Sequence, residues 1–302
     1  MLDYPALQAV SLVVRTGSFD RAAQAMNVTP SAVSQRVKQL EERLGTILVI
    51  RGQPCTATER GEWLCRHMEQ VGLLEGELMT RLPALAEPEQ PQQRVTLRVA
   101  ANADSLGTWF LGAVAAFTNQ SPHLIDIAVD DQEHTAEWLR QGRVLAAVTA
   151  LDKPIQGCRV IPLGSLRYLA TASPEFTARH FAGGVTVPAL AQAPSLIFNQ
   201  KDRLQSQWME LAVGASPGHP VHWVPSTQGF VEACLLGIGW SANPELLVRE
   251  HLDAGRLREL IPGTVLDTPL FWQINRVAAD RLADLTRAVV ETARRLLVSP
   301  QG

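Results

Sequence analysis

The segment TPSAVSQRVKQLEERLG, residues 29–45, decides how the N-terminal part of the chain folds. Thr29 suits the N-cap of a helix, Pro30 suits its first turn, and Gly45 suits the left-handed residue that ends it. Between them an apolar residue recurs every three or four positions, at Val33, Val37, Leu40 and Leu44. This spacing predicts a helix to about Leu44 with one buried apolar stripe.

The opposite side of this helix is polar and suits DNA. Hydroxyl, amide and cationic side chains on the N-terminal part of a helix can reach base edges and phosphates in the major groove. A single helix with such a face is more often merely solvated, but two short helices, starting near Asp3 and Ser18, precede this one. Three helices in this order indicate a helix-turn-helix. The candidate DNA contacts are Thr29, Ser31, Ser34, Gln35, Arg36 and Lys38.

A short hairpin follows the three helices. Two apolar runs, residues 47–50 and 55–57, flank the turn-forming segment RGQP at residues 51–54. This pattern predicts a wing, with Arg51 available to the sugar-phosphate backbone. Residues 1–58 are therefore predicted to be an all-α winged helix-turn-helix head.

The predicted helix over residues 59–83 carries a seam for self-association. Apolar residues repeat at mixed spacings of three, four and seven, at Leu64, Val71, Leu74, Leu78 and Leu82, as in a coiled coil. The alternative is a core helix of a single domain. Because the sequence offers no second helix beside it, we favour pairing with another copy of the chain, in a homodimer or homotetramer.

Beyond a polar, proline-rich linker at residues 84–93, strand-like and helical segments alternate to the end of the chain. This alternation predicts an α/β domain over residues 94–302 with mostly parallel sheets. About 200 residues are enough for two lobes. Lobe I is predicted at about 94–162 and 268–302, and lobe II at about 163–267.

Charge and composition limit the kinds of function that the sequence supports. Residues 1–60 hold seven Lys/Arg and five Asp/Glu, whereas residues 61–302 hold 20 Lys/Arg and 25 Asp/Glu. A basic head therefore joins an acidic body, as expected when one end of a protein binds phosphates. The apolar runs fall short of the roughly 20 residues of a membrane span. The N-terminus lacks a secretory signal, and four scattered cysteines favour reduced thiols in the cytoplasm and argue against a zinc site. We expect no membrane association and no metal.

Catalysis is not expected, since the sequence contains no nucleophile elbow, phosphate-binding loop, dinucleotide fingerprint or zinc-protease motif. Two binding functions are left. One is a ligand-responsive transcription regulator, for which double-stranded DNA is the partner and RNA polymerase a candidate partner. The other is a nucleoid-type or replication-initiation-inhibiting DNA binder without effector control. An effector-dependent change in the DNA footprint separates the two.

Several motifs resemble one family along nearly the whole chain. GSFDRAAQAM (17–26), the segment at 29–45 and TERG (58–61) resemble the DNA-binding head of LysR-type transcriptional regulators, and GIG (237–239), PELLV (244–248) and GRL (255–257) resemble their sensor domain. ANADSL (101–106), TW (108–109), Pro122, VDD (129–131), GF (229–230) and LFW (270–272) resemble the ArgP/LysG branch of that family. Asn243 departs from the family pattern, which often has Leu before Pro244.

The resemblance implies a periplasmic-binding-protein-like, two-lobed effector domain, a tetramer built from dimers, and no cofactor beyond a small-molecule effector, lysine or arginine. It also implies control of basic-amino-acid export or metabolism genes. Open parallel sheets bind ligands beyond the carboxyl ends of their strands, which points to the same cleft. At one such end, free amides and the Ser105 hydroxyl at a helix start predict a site for an α-carboxylate.

Further candidates for the effector site are Asp104, Asp131, Thr149, Asn199, Asp202 and Thr227. The carboxylates would pair with a cationic ligand end, and Thr227 would donate from the second lobe. Five of the effector-site candidates have an ordinary alternative role. Asp104 and Ser105 can be helix caps, Asp131 and Asp202 can be solvated turn residues, and Thr149 can bond to local backbone.

Overall fold

The structure is a computed structural model that describes residues 2–82, 95–129, 137–140 and 142–299. The chain divides into two compact units, Met1–Gln93 and Arg94–Gly302. The predicted linker at 84–93 lies outside the described residues. Within the described residues, no helix combines the length and apolar character needed to cross a membrane.

The N-terminal unit has the predicted order of helices and hairpin: α1 (Tyr4–Thr16), α2 (Phe19–Ala25), α3 (Pro30–Leu44), β1 (Val49–Ile50), β2 (Thr56–Ala57) and α4 (Glu59–Arg81). Local sequence explains the boundaries. The Thr29 hydroxyl accepts a hydrogen bond from the Ala32 N–H, the Thr58 hydroxyl accepts one from the Gly61 N–H, and Gly45 is left-handed at φ +63°. These caps satisfy backbone groups that a helix end leaves unpaired.

One residue of the predicted apolar stripe of α3 is exposed in the structure. Val33, Val37 and Leu40 are buried in the core of the head, but Leu44 is 46% exposed. The prediction that Leu44 is buried is therefore wrong. The core that covers α3 ends at Leu40, and the helix itself ends one turn later at Gly45.

The wing is short and antiparallel, with Val49 opposite Ala57 and Ile50 opposite Thr56. It lies against the start of α4, where Gly61 approaches the Leu48 carbonyl so closely that an added Cβ would overlap its oxygen. The first turns of α4 pack on the head core through Leu64, Cys65 and Met68. Further along, Leu74, Leu78 and Leu82 are exposed.

The helices of the C-terminal unit begin with α5 (Ala103–Ser105), which continues through a π-helical turn (Leu106–Phe110) into α6 (Leu111–Thr118). They continue with α7 (Pro174–His180), α8 (Val187–Gln192), α9 (Leu204–Val213), α10 (Thr227–Leu235), α11 (Glu245–Asp253) and α12 (Ala283–Leu296). The strands are β3 (Thr96–Ala101), β4 (Leu124–Val129), β5 (Ala146–Thr149), β6 (Cys158–Ala172), β7 (Ser195–Ile197), β8 (Val221–Trp223), β9 (Ser241–Pro244), β10 (Arg258–Glu259) and β11 (Val265–Asn275).

The main sheet is mixed, in the order β10-β6-β11-β5-β3-β4, with β9 also paired to β6. Only β3 with β4 and β3 with β5 are parallel in this sheet, whereas β6, β9, β10 and β11 pair antiparallel. A separate parallel pair joins β7 and β8. The prediction of mostly parallel sheets is wrong, because β6 and β11 are two long strands that return antiparallel along each other.

The pair of strands β6 and β11 joins two halves of the sheet, one that contains β5 and one that contains β9 and β10. Strand β5 pairs with residues 271–274 of β11, whereas β9 and β10 pair with residues 168–172 of β6. The change between the halves falls at a register shift between Leu270 and Phe271, opposite Gly164. Gly164 has φ +121° and precedes Ser165, which exchanges backbone hydrogen bonds of 2.9 and 3.0 Å with Val298 near the end of the chain.

Gly164→Ala should destabilise the fold strongly. Its backbone lies in the region that disfavours side chains, and the added Cβ would lie 2.6 Å from the Val298 carbonyl oxygen. Gly157→Ala is the matched control, because Gly157 also has a positive φ of +82° but nothing within 4 Å of the added atom. We expect a loss of about 1–2 kcal/mol for the control and of roughly 3 kcal/mol or more for Gly164→Ala. Urea denaturation measures both, and equal losses would contradict this role of Gly164.

Candidate DNA interface and effector cleft

The polar face of α3 is accessible to a partner. Ser31, Gln35 and Lys38 are exposed, as is Thr29 at the helix start, while Ser34 and Arg36 are partly exposed. Lys38 has an ion pair of 3.7 Å with Glu42, in which both side chains are well exposed. Such a surface pair is weak, so the ammonium group can exchange Glu42 for a phosphate. The structure thus places Ser31, Gln35 and Lys38 on the side of α3 away from the head core, with Ser34 and Arg36 on the flanks of that side.

Arg51 lies at the edge of the wing and joins this face. Its Nη2 atom is 3.4 Å from the Ser34 hydroxyl oxygen, and its guanidinium carbon is 5.0 Å from the centre of the Phe19 ring. The wing and α3 therefore present one continuous polar surface. Sequence reasoning did not select Phe19, although an aromatic residue at the start of a short helix was a visible signal.

The effector candidates meet around Asp104, where α5 follows β3. One carboxylate oxygen accepts a hydrogen bond of 2.7 Å from the Tyr168 hydroxyl, and the other accepts one of 2.6 Å from the Thr227 hydroxyl. Burial, followed by the Asp104 charge, raises the pKa of Tyr168 well above its usual value, so this hydroxyl is a donor. Asp104 thereby links β3–α5 to β6 and to the start of α10.

Asp202 belongs to the same electrostatic environment. Its two carboxylate oxygens accept hydrogen bonds of 3.0 Å from the Phe198 and Leu204 N–H groups. Burial raises the pKa of Asp202 above its ordinary value; the two backbone bonds lower it, and the charge of Asp104 raises it. A cation near these two carboxylates would offset the repulsion between their charges.

Ser105 is buried and its hydroxyl oxygen has no hydrogen-bond partner among the described residues. Its N–H donates to the Asn102 side chain at 2.8 Å. The Ser105 amide is therefore not among the free amides expected at this helix start, because it is bonded to the capping Asn102 side chain. The hydroxyl is still available, and an unsatisfied buried hydroxyl is costly unless a ligand or water meets it.

Two other candidates have local partners. The buried Thr149 hydroxyl accepts a hydrogen bond of 3.1 Å from the Leu151 N–H, and the Asn199 side chain accepts one of 2.8 Å from the Lys201 N–H. The Thr149 contact is the local backbone interaction that the sequence left as an alternative, and the Asn199 contact is an ordinary turn interaction. Asp131 lies outside the described residues.

Sequence reasoning missed two polar residues of this region, Tyr168 and Gln205. Tyr168 is one of only two tyrosines in the chain, and a buried tyrosine hydroxyl usually needs a partner; that need was the available signal. The buried Gln205 donates to the Leu196 carbonyl at 2.7 Å and to the Ser241 hydroxyl at 3.1 Å. Nothing in the local sequence distinguishes Gln205 from an exposed glutamine on α9.

A winged helix-turn-helix head and a second domain with a polar, acidic site define a DNA-binding protein with a ligand-binding domain. Comparisons with known proteins agree. Residues 5–62 match the bacterial regulatory helix-turn-helix protein, lysR family, and residues 90–297 match the LysR substrate binding domain. The chain belongs to the lysR family of bacterial regulatory helix-turn-helix proteins.

Named relatives cover the whole chain. It is 41% identical over 298 residues to the HTH-type transcriptional regulator ArgP of Pseudomonas fluorescens, with 99% of each chain covered. The crystal structure of ArgP from Mycobacterium tuberculosis is similar with a TM-score of 0.78 and 40% identity, covering 99% of this chain and 100% of that one. Full-length LysG from Corynebacterium glutamicum with bound effector Arg has a TM-score of 0.66 and 36% identity, covering 98% and 100%.

Proposed function

We propose that this protein is a ligand-responsive DNA-binding transcription regulator that senses arginine or lysine and controls genes of basic-amino-acid export or metabolism. The observation that carries the proposal is the Asp104 carboxylate, which accepts hydrogen bonds from Tyr168 and Thr227 and precedes Ser105, a buried serine whose hydroxyl has no partner among the described residues. A relative at 36% identity has arginine bound as its effector. Double-stranded DNA is the proposed macromolecular partner, with RNA polymerase as a further one, in the cytoplasm.

The charge of the site favours a cationic amino acid over a neutral one. A guanidinium or ammonium group placed near Asp104 and Asp202 would offset their repulsion, whereas an apolar side chain would leave both carboxylates in a partly buried site without a counter-charge. Ser105 would donate to the polar end of the same ligand. Asp131, outside the described residues, is proposed as a further carboxylate partner.

The head supplies the DNA contacts. Ser34 and Gln35 lie on the exposed face of α3 and can read base edges, whereas Lys38 and Arg51 can pair with phosphates. We assign Thr29, Ser31 and Arg36 to the same surface. Specific binding by one such head is weak, so we propose that two heads act together.

Helix α4 supplies the surface that pairs two copies. Leu74 and Leu78 are 52% and 50% exposed, and their spacing of four places them along one side of the helix. Leu82, 51% exposed, follows directly after the helix at the same spacing. Three half-exposed leucines in a row are unfavourable in water and favourable in a helix–helix seam. We propose a homodimer through α4, or a homotetramer built from such dimers.

Gln35→Ala should weaken specific DNA binding by roughly 5- to 150-fold, the range for a lost base contact of about 1–3 kcal/mol. Fluorescence anisotropy at fixed salt measures this, with DNA selected by the wild-type chain from a random pool. Gln192→Ala, an equally exposed glutamine in the C-terminal unit, is the control and should bind as wild type. Normal binding by Gln35→Ala, Ser34→Ala and Lys38→Ala alike would refute the assignment of α3.

Glutamate at both Leu74 and Leu78 should split the assembly into monomers, because a seam cannot bury four like charges without partners. Glu69→Lys also changes charge on α4, on the side away from the leucines, and should leave the assembly intact. Light scattering during size exclusion gives the masses. A double variant with the wild-type mass would show that the interface lies elsewhere.

Arginine and lysine should bind the full chain at micromolar to millimolar concentration, and leucine should not bind, because only the first two bring a positive charge to Asp104 and Asp202. Ser105→Ala should weaken arginine binding by roughly 2- to 12-fold, the effect of losing one hydrogen bond of about 0.5–1.5 kcal/mol. It should not lower the melting temperature of the free protein, since this hydroxyl has no protein partner among the described residues. Calorimetric titration and thermal melting measure the two effects.

Ser173→Ala is the matched control for that titration. The buried Ser173 hydroxyl accepts a hydrogen bond of 3.2 Å from the Phe176 N–H at the start of α7, so its loss should lower stability by about 1 kcal/mol and leave arginine affinity unchanged.

Arginine affinity should also fall as pH is lowered through the raised pKa of Asp202, because protonation removes the charge that pairs with the ligand. Equal affinity for leucine and arginine would contradict the ligand assignment.

A further inference from the structure

Arg51 has an exposed and flexible side chain, yet it contacts two separate helices. Its guanidinium carbon lies 5.0 Å from the centre of the Phe19 ring, at the start of α2. The same group lies 3.4 Å, through Nη2, from the Ser34 hydroxyl on α3. The side chain thus bridges the wing to both helices of the helix-turn-helix.

The backbone of the wing is held at the same place. The Cys55 N–H donates a hydrogen bond of 2.9 Å to the Gly17 carbonyl. Gly17 is left-handed at φ +68°, and a Cβ on it would lie 2.7 Å from Cβ of Pro54. The far arm of the wing therefore rests on the turn between α1 and α2, next to Phe19.

The near arm of the wing is fixed to α3. One carboxylate oxygen of Glu41 accepts hydrogen bonds of 2.8 and 3.2 Å from the N–H groups of Leu48 and Val49. With both arms anchored, the Cα of Arg51 has a defined position relative to α3. What remains to be ordered is its long side chain, and that ordering has an entropic cost.

We propose that Phe19 is a positioning residue that holds the guanidinium of Arg51 beside Ser34 before DNA arrives. An aromatic face attracts a guanidinium group through its quadrupole and stacks against its plane. The stacked arginine meets DNA with its side chain already ordered, at the edge of the α3 face. This inference rests on the proposed DNA-binding function and adds to it a residue that itself touches no DNA.

The alternative role of Phe19 is packing, since its partly buried ring also lies against the head core. The two roles differ in their dependence on Arg51. A packing residue affects DNA binding whatever residue stands at position 51, whereas a positioning residue has no effect on DNA once the arginine is removed.

A double-mutant cycle on the full chain tests the proposal, with DNA affinity measured by anisotropy on the DNA selected by the wild type. Phe19→Leu keeps an apolar side chain and loses the ring face, so it should weaken binding about two- to five-fold, the range for an exposed cation–ring contact. Arg51→Ala should weaken binding more. The double variant should bind like Arg51→Ala alone, and Phe19→Tyr, which keeps the ring face, should bind like wild type.

Additive losses in the double variant would overturn the proposal, as would wild-type binding by Phe19→Leu. So would weak binding by Phe19→Tyr when its melting temperature matches that of the wild type. A wild-type chain that selects no DNA sequence would instead contradict the proposed function itself, and the two failures are therefore distinguishable.

Discussion

The antiparallel pairing of β6 with β11 is the constraint on which the C-terminal unit depends. Eleven register pairs connect the two strands, from Val265 opposite Leu169 to Asn275 opposite Cys158. Arg167 and Asp267 add two hydrogen bonds of 2.8 Å across this pair. Because each half of the sheet bonds to a different part of these strands, their geometry decides how Asp104, which follows β3, meets Thr227 on α10.

The acidic site carries an electrostatic cost that a ligand can offset. Asp202 is partly buried, and this burial raises the pKa of its carboxyl above the ordinary value. Asp104 is stabilised by the hydroxyls of Tyr168 and Thr227, which supply dipoles but no positive charge. A cationic ligand would supply that charge, so occupancy and the contacts between the two halves of the unit are linked through Asp104.

Local sequence predicted the head well, because its boundaries depend on caps and glycines close in the chain. Thr29, Gly45 and Thr58 mark helix ends in the structure as they do in the sequence. The predicted burial of the apolar stripe of α3 was wrong only at Leu44, where neighbouring elements and not periodicity decide burial.

In the C-terminal unit, the helices α7 and α8 have seven and six residues, which is too short for a periodic pattern to reveal them.

In the C-terminal unit the sequence indicated where strands end, but it did not indicate which strands pair with each other. Arg167 and Asp267 are 100 positions apart, and no local pattern reports that their strands run antiparallel. The same limit applies to the site. Asp104, Asp202 and Thr227 were selected because they follow strands or begin helices, whereas Tyr168 lies inside a strand and contributes only through a contact distant in sequence.

We infer that a cationic amino acid bound in the C-terminal unit alters how the head contacts DNA. DNase footprinting of the full chain, on DNA selected by the wild type, with saturating arginine, with leucine and with neither, measures this effect. We expect a protected region that changes in length or position with arginine and not with leucine. Identical protection in all three conditions would contradict it and would indicate a DNA binder without effector control.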